Sequence, residues 1–222
     1  MTKPTGSTEP GYVRIAAPDV TLEANLTVPD HARTLVIFAH GSGSGRQSPR
    51  NRYVAEVLQR AGLATLLADL LTRDEEVLDQ QTMHLRFDIP LLAERLLAIA
   101  QWASQQPATK RLKIGYFGAS TGAAAALVAA AGQPASAVGA IVSRGGRPDL
   151  AGALLGQVHA PTLLIVGEND PQVHFLNRQA FEVLAAKEKE LVVIPGATHL
   201  FEEPGALEEV ARVAAQWFTR HH

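Results

Sequence analysis

The chain has no cysteine among its 222 residues, and neither sign of charge predominates. The lack of cysteine excludes disulfides, thiolate metal sites and a cysteine nucleophile. With 20 lysines and arginines against 22 acidic residues, the net charge of −2 gives no electrostatic sign of a nucleic-acid or membrane-surface partner. No apolar run approaches the roughly 20 residues of a transmembrane helix, and residues 1–11 lack a signal-peptide pattern, so we expect a cytoplasmic protein.

The remaining chain alternates apolar, strand-like runs with helical segments, which is typical of an α/β domain. We expect residues 1–11 to form a flexible N-terminal segment and residues 12–219 to form a single domain. Strands are predicted at 12–16, 21–28, 34–39, 64–69, 112–117, 138–143, 162–166 and 191–194, and helices at 49–61, 87–104, 120–131, 173–187 and 206–218. The first two strands predict an antiparallel hairpin. The units after it predict a mostly parallel sheet with helices on both faces.

Ser120 lies in the segment Gly118-Ala119-Ser120-Thr121-Gly122, between a predicted strand and a predicted helix. This G-x-S-x-G pattern in that context is typical of a nucleophile elbow. A sharp strand-to-helix turn leaves no space for side chains two residues before and after the serine, which explains the glycines. The turn exposes the hydroxyl beside the free N–H groups of a helix N-terminus. The alternative is a glycine-rich turn that serves close packing alone.

A serine nucleophile needs a base, and the base needs an orienting carboxylate. Asp170 and His199 follow the predicted strands 162–166 and 191–194, so we expect both at the sheet edge that carries Ser120. The rival carboxylates are Glu168 and Asp149, and the rival bases are His159 and His174.

With this order of serine, aspartate and histidine, the chain resembles the α/β-hydrolase superfamily over residues 12–219. Its small size and the segment His40-Gly-Ser-Gly-Ser-Gly resemble the dienelactone hydrolase family. The resemblance implies a sheet of about eight strands, with Ser120 as nucleophile, His199 as base and Asp170 as its orienter. Dienelactone hydrolases proper use a cysteine nucleophile, which this chain lacks. The resemblance therefore favours a general ester or lactone hydrolase over a dienelactone substrate.

The glycine–serine segment 40–45 follows a predicted strand and has two interpretations. In a hydrolase this loop supplies an oxyanion donor, which assigns the backbone N–H groups of Ser42 and, after the nucleophile, Thr121. In a dinucleotide-binding protein the same glycines hold a phosphate, and Asp69 binds the ribose. Arg46 occupies the third glycine position of that fingerprint, which disfavours the second interpretation. We expect His40 to support the loop rather than to act as a base.

Arg144 and Arg147 follow the predicted strand 138–143 and can pair with a substrate carboxylate. The alternative is a helix-start turn with solvated arginines. Arg50 and Arg86 are weaker candidates of the same kind. Only residues 144–161 join this strand to the next. That length allows one short helix and no large lid.

The sequence therefore predicts a serine hydrolase that cleaves a small carboxylic ester or lactone, without cofactor or metal, and with a small molecule as its partner. An alternative from another class is a catalytically idle protein of this fold with a binding or regulatory role. A dinucleotide-binding protein is the third candidate. Acyl transfer, amide cleavage and perhydrolysis use the same machinery, and the sequence does not separate them from hydrolysis.

Overall fold

The computed structural model describes residues 11–221, which contain eight strands and six α-helices. The strands are Gly11–Ala17 (β1), Val20–Thr27 (β2), Thr34–Ala39 (β3), Ala64–Ala68 (β4), Lys113–Ala119 (β5), Val138–Arg144 (β6), Thr162–Gly167 (β7) and Lys189–Ile194 (β8). The helices are Pro49–Arg60 (α1), Arg73–Thr82 (α2), Ile89–Gln105 (α3), Thr121–Ala131 (α4), Pro171–Val183 (α5) and Ala206–Arg220 (α6). Gly11 belongs to β1, and residues 1–10 lie outside the described residues, so the flexible segment expected at 1–11 stays a prediction apart from Gly11.

The strands form one sheet in the order β1-β2-β4-β3-β5-β6-β7-β8. β1 and β2 make an antiparallel hairpin, and β2 is antiparallel to β4. The other neighbouring strands of this sheet are parallel. The predicted fold class is thus confirmed. Because parallel strands end at a common edge, the loops after β3, β5, β6, β7 and β8 meet there.

Strand β3 illustrates how both faces of the sheet are covered. All six of its residues are buried. Leu35 and Ile37 pack with residues of α3 and α4, whereas Val36 and Phe38 pack with residues of α1 and α6. Successive side chains point to opposite faces of a strand, so a continuous apolar run fits a strand buried on both faces. The predicted arrangement of helices on both faces is therefore correct.

Helix α2 was not predicted, although its start carries a recognisable signal. The Thr72 hydroxyl accepts a hydrogen bond from the Glu75 N–H at 3.3 Å, and Glu75 Oε2 accepts one from the Thr72 N–H at 2.7 Å. This reciprocal pair is a capping box. Asp79 is the buried residue of α2. The helix therefore lacks the apolar periodicity on which helix prediction depends.

The prediction of a helix at 173–187 is wrong at both ends. α5 begins at Pro171, with Asp170 as its N-cap, and it ends at Val183 because Leu184 has an extended ψ of 127°. The connection from β6 to β7 contains a 3-10 segment, Pro148–Gln157, kinked at Gly152. It leaves the sheet edge without a large inserted lid. Within residues 11–221, no helix combines the length and apolarity needed to cross a membrane.

Candidate active site

Ser120 occupies the turn between β5 and α4 in a strained conformation. Its φ of 51° and ψ of −121° are unusual for a residue with a side chain. Hydrogen bonds from its neighbours hold the turn in place. The Ser120 N–H donates to the Arg144 carbonyl at 3.3 Å, and the Ser120 carbonyl accepts from the Arg147 N–H at 3.1 Å. Strain that is retained at a fixed turn is typical of functional sites.

The glycines that flank Ser120 are required by the close approach of backbone atoms. A Cβ atom at Gly118 would lie 2.4 Å from the Ala123 Cα, and one at Gly122 would lie 2.1 Å from the Ala39 carbonyl oxygen. Both distances are much shorter than van der Waals contact, and the clashing atoms belong to the backbone, which cannot move aside as a side chain can. The predicted geometric reason for the two glycines is present in the structure.

We expect Gly122→Ala to destabilise the protein by about 3 kcal/mol or more, because overpacking against backbone cannot relax through a side-chain rotamer. Chemical denaturation followed by circular dichroism measures the effect. Gly156→Ala is the matched control, since a Cβ atom there would contact nothing within 4 Å. Equal stabilities for the two variants would contradict the packing argument.

Asp170 and His199 are brought together by the loops after β7 and β8. His199 Nδ1 lies 2.6 Å from Asp170 Oδ2, and the two side chains are 39% and 14% exposed. Asp170 is fixed by its second role, because Oδ1 accepts from the Val173 N–H at 3.5 Å at the start of α5. The carboxylate can therefore orient the imidazole and leave Nε2 free for a reacting proton.

The rival residues have other partners or lie elsewhere. Glu168 accepts a hydrogen bond from the Gly196 N–H at 2.8 Å, and Asp149 pairs with Arg147 at 2.7 Å. His159 is exposed on the connection before β7, and His174 lies on α5. Among these carboxylates, Asp170 is the one hydrogen-bonded to His199 in the described part of the chain.

The loop after β6 links this pair to Ser120. A Cβ atom at Gly145 would lie 3.2 Å from the His199 carbonyl oxygen and 3.5 Å from His199 Cε1. The neighbouring Arg144 is the residue whose carbonyl binds the Ser120 N–H. Within residues 11–221 no hydrogen bond joins the Ser120 hydroxyl to His199. Catalytic hydrogen bonds are often long or poorly aligned without substrate, so the missing bond does not exclude His199 as the base.

The loop after β3 lies directly against the elbow. A Cβ atom at Gly41 would be 2.9 Å from both the Ala119 carbonyl oxygen and the Ser120 Cβ. Ser42 Oγ and Thr121 Oγ1 are 3.3 Å apart. In the part of the chain that the structure describes, the backbone N–H groups of Ser42 and Thr121 donate to no protein acceptor. Two free donors on neighbouring loops can stabilise a negatively charged oxygen.

His40 is buried under this loop, and its ring nitrogens are both engaged. Nε2 accepts from the Leu70 N–H at 2.7 Å, so Nδ1 carries the proton and donates to the Gly41 carbonyl at 3.0 Å. Burial lowers the pKa of the imidazole, and the bond to Gly41 and the charge of Asp69 oppose that shift. A neutral ring with two fixed partners agrees with the expected supporting role.

The buried neutral His40 should make stability fall in acid. Because the folded pKa lies below the unfolded value of about 6.5, the unfolded chain binds more protons below that pH, and the free energy of unfolding decreases as pH falls. The contribution is complete above about pH 6.5. His40→Gln keeps an acceptor for the Leu70 N–H and cannot titrate. We expect it to lose less thermal stability than the parent between about pH 7.5 and 5.5. His159→Gln, at an exposed site, is the control, and identical pH slopes for the parent and His40→Gln would disprove the assignment.

Asp69 does not remain available for a ribose. It accepts a hydrogen bond from the Arg46 backbone N–H at 2.6 Å and forms an ion pair with the Arg46 guanidinium, whose Nε lies 2.9 Å from Oδ2; Arg46 also pairs with Glu23. The Arg46 side chain therefore occupies the Asp69 carboxylate, which a dinucleotide ribose would need as its partner. The glycine–serine loop is tied to β4 through this pair, which disfavours the phosphate interpretation.

A cavity of about 90 Å³ lies beside the loop after β3 and is also lined by residues of α2. Asp79 binds Arg86 through Nε at 2.7 Å and through the backbone N–H at 3.0 Å, so the arginine charge is balanced. Burial and the nearby Asp69 and Asp79 raise the pKa of the Glu76 carboxyl. Sequence reasoning missed Glu76 and Asp79 because it missed α2. The capping box was the available signal. The cavity is lined by His40, Gly41, Ser42, Gly43, Ser44, Leu71, Glu76, Asp79, Gln80, Arg86, Leu92 and Thr121.

The two arginines after β6 differ in their surroundings. Arg147 donates two hydrogen bonds to the Asp149 carboxylate, at 2.9 and 2.7 Å. Arg144 is buried, and its Nη1 has no hydrogen-bond partner. The charge of Arg147 is therefore satisfied within its own turn, whereas that of Arg144 is not.

Comparison with known proteins places these features in a family context. The model of the dienelactone hydrolase family matches residues 22–221. A relative in two Mycobacterium tuberculosis strains is 58% identical over 209 residues, and its name assigns it provisionally to the phosphoribosyl transferases. The match covers 94% of this chain and 46% of that protein, so the chain spans about half the length of these curated relatives.

Solved structures show the same fold. The crystal structure of a dienelactone hydrolase from Anabaena variabilis has a TM-score of 0.92 and 57% sequence identity, and the match covers 96% of this chain and 99% of that one. Est1E from Butyrivibrio proteoclasticus has a TM-score of 0.78 at 19% identity, with 95% and 98% of the two chains covered. At that identity the likeness concerns the fold alone.

Proposed function

Because the chain belongs to the dienelactone hydrolase family, we propose that it is a serine hydrolase that cleaves a small carboxylic ester or lactone through an acyl-enzyme on Ser120. The hydrogen bond of 2.6 Å between Asp170 and His199, beside a strained serine turn, is the observation that carries this proposal. A base held by a carboxylate next to a serine is the arrangement that activates a hydroxyl.

In the first half of the reaction, His199 Nε2 takes the Ser120 proton while Oγ attacks the substrate carbonyl carbon. The carbonyl oxygen becomes an oxyanion, which accepts hydrogen bonds from the backbone N–H groups of Ser42 and Thr121. Asp170 stabilises the imidazolium that forms. The oxyanion then collapses, the bond to the leaving oxygen breaks, and His199 gives its proton to that oxygen. An ester on Ser120 remains, and the alcohol departs from an ester substrate or, from a lactone, stays attached to the acyl group as the hydroxyl of the opened ring.

In the second half, water replaces the alcohol. His199 takes one water proton, and the resulting hydroxide attacks the acyl carbon of the Ser120 ester. The same two N–H groups bind the second oxyanion. Its collapse breaks the bond to Ser120 Oγ, which regains the proton from His199. Each turnover thus consumes one water and releases one acid and one alcohol, or one hydroxy acid from a lactone.

The site favours a small substrate. The cavity beside the loop after β3 has a volume of about 90 Å³, and the connection after β6 carries a short 3-10 segment instead of a large lid. The cavity wall combines the Ser42 and Thr121 segments with α2. A short acyl or alcohol group fits that volume better than a long chain.

The other candidate functions lack a specific supporting observation. The provisional phosphoribosyl transferase name belongs to a protein of which this chain spans less than half. An idle binding protein would not need the Asp170–His199 pair. The cytoplasmic location and the small-molecule partner stay predictions.

Labelling with a fluorophosphonate and turnover of p-nitrophenyl acetate test the proposal together. We expect the probe to add covalently to the peptide that contains Ser120, and we expect p-nitrophenolate release with an initial burst. Absence of both labelling and turnover would favour the idle alternative. Labelling at another residue would disprove the assignment of the nucleophile.

A further inference from the structure

Arg144 is a buried cation without a protein partner. The residue is 8% exposed, and its Nη1 is fully enclosed without a hydrogen bond. Within residues 11–221 its guanidinium makes no ion pair. Buried charges are normally paired, because an unpaired one loses its hydration without compensation. The other arginines considered as ligand-binding candidates, Arg50, Arg86 and Arg147, each pair with a carboxylate.

The surroundings of Arg144 further disfavour its unpaired positive charge. Ala140 and Val142 of β6 pack on the face covered by α1 and α6, and strand alternation puts Arg144 on that face too. Burial and, to a lesser extent, the nearby charge of Arg50 together lower the pKa of its guanidinium to about 10. Arg50 pairs at 2.7 Å with Glu202, whose side chain is 61% exposed. An added anion would relieve the repulsion between the two arginines.

Arg144 is also close to the reacting groups along the chain. Its carbonyl binds the Ser120 N–H, and its Cα pairs with that of Ala119 in the sheet. The next residue, Gly145, packs against His199. Arg50 at the start of α1 and Glu202 after His199 join the two loops that border the site. The backbone of Arg144 therefore lies beside the Ser120 turn and the His199 loop, and its guanidinium is near enough to Arg50 on α1 to be affected by that charge.

We propose that Arg144 binds an anionic group of the substrate, a carboxylate or a phosphate, on the α1 and α6 side of Ser120. The proposal rests on the proposed hydrolase function of Ser120 and adds the substrate class. The cavity beside α2 does not offer the same attraction, because Asp79 already balances Arg86 and Glu76 adds a carboxyl group. An anion is therefore favoured at Arg144 and disfavoured beside α2.

Two esters with acyl chains of equal length provide the kinetic test. They are p-nitrophenyl hydrogen glutarate, which is anionic, and p-nitrophenyl valerate, which is neutral. We expect the parent to prefer the anionic ester and Arg144→Met to lose that preference, with kcat/KM for the glutarate ester reduced roughly 10- to 100-fold and mainly through KM. Arg147→Met is the matched control from the same turn and should retain the preference. A parent without preference, or an equal loss on both esters in Arg144→Met, would overturn the proposal.

Stability and binding measurements separate this role from a structural one and from the hydrolase assignment. Removal of an unpaired buried charge should leave the thermal midpoint of Arg144→Met equal to or above that of the parent. A lower midpoint would indicate a structural role and overturn the proposal.

In Ser120→Ala, glutarate or inorganic phosphate should raise the thermal midpoint, and Ser120→Ala/Arg144→Met should lose that response. This binding measurement needs no turnover. A parent protein without ester turnover would therefore count against the proposed function, whereas a Ser120→Ala midpoint that does not respond to either anion would overturn the anion site. The larger response identifies carboxylate or phosphate as the preferred group.

Discussion

Ser120→Ala is expected to reduce the turnover of a short p-nitrophenyl ester by a factor on the order of 10⁴ to 10⁶, because the acyl-enzyme can no longer form. The residual rate would come from the oxyanion donors and substrate binding alone. Alanine keeps the Cβ atom of serine, so the strain of the positive φ at this turn is unchanged. The fold and its thermal stability should therefore remain close to those of the parent. Ester turnover, measured with the thermal midpoint of the same sample, checks the prediction.

The control for this variant is a serine outside the site. Ser104 is exposed on α3, where its hydroxyl donates to the Gln101 carbonyl at 2.7 Å. Ser104→Ala should retain both turnover and fluorophosphonate labelling, whereas Ser120→Ala should lose both. Turnover of Ser120→Ala at the parent rate would show that another group attacks the carbonyl, and the mechanism proposed above would be wrong.

The sequence predicted the sheet and the elbow because both follow from local patterns. Buried strands such as β3 are continuous apolar runs, and the turn at Ser120 requires glycines at fixed spacing. The contact between Asp170 and His199 was also expected, since both follow parallel strands that end at one edge. Location in the sequence was sufficient for the sheet and the turn, whereas Glu168, on the same loop as Asp170, stayed open as a rival until the hydrogen bond to His199 was seen.

Features that depend on partners across the fold were not predictable in the same way. Helix α2 buries Asp79 instead of an apolar face, so its cavity wall had no periodic signal. Arg144 and Arg147 occupy one short segment and look equivalent in sequence. They differ only because Asp149 folds back onto Arg147 while Arg144 points into the sheet face covered by α1 and α6. Whether an arginine finds a carboxylate partner depends on the tertiary structure, so it could not be predicted from these neighbouring positions.

Asp170→Asn should separate the two roles of this residue. Asparagine caps a helix about as well as aspartate, so the start of α5 and the thermal stability should change little. The amide has no charge to balance the imidazolium, and its NH2 group can donate to His199 Nδ1, which favours the wrong tautomer of the ring. We therefore expect kcat to fall roughly 10⁴-fold with folding intact. Asp170→Ala should show a similar kinetic loss and an additional loss of about 1 kcal/mol in the free energy of unfolding, because it also removes the cap.

Glu168→Gln is the decisive comparison, because Glu168 is the rival carboxylate on the same loop. Its Oε2 accepts from the Gly196 N–H and makes no hydrogen bond to His199 in the described structure. A glutamine oxygen can accept that bond, so kcat should change far less than in Asp170→Asn. If Glu168→Gln instead causes the greater loss, the loop rearranges when substrate binds and Glu168 orients the base. If Asp170→Asn alone inactivates the protein, the 2.6 Å contact of the free protein is also the contact that operates in the transition state.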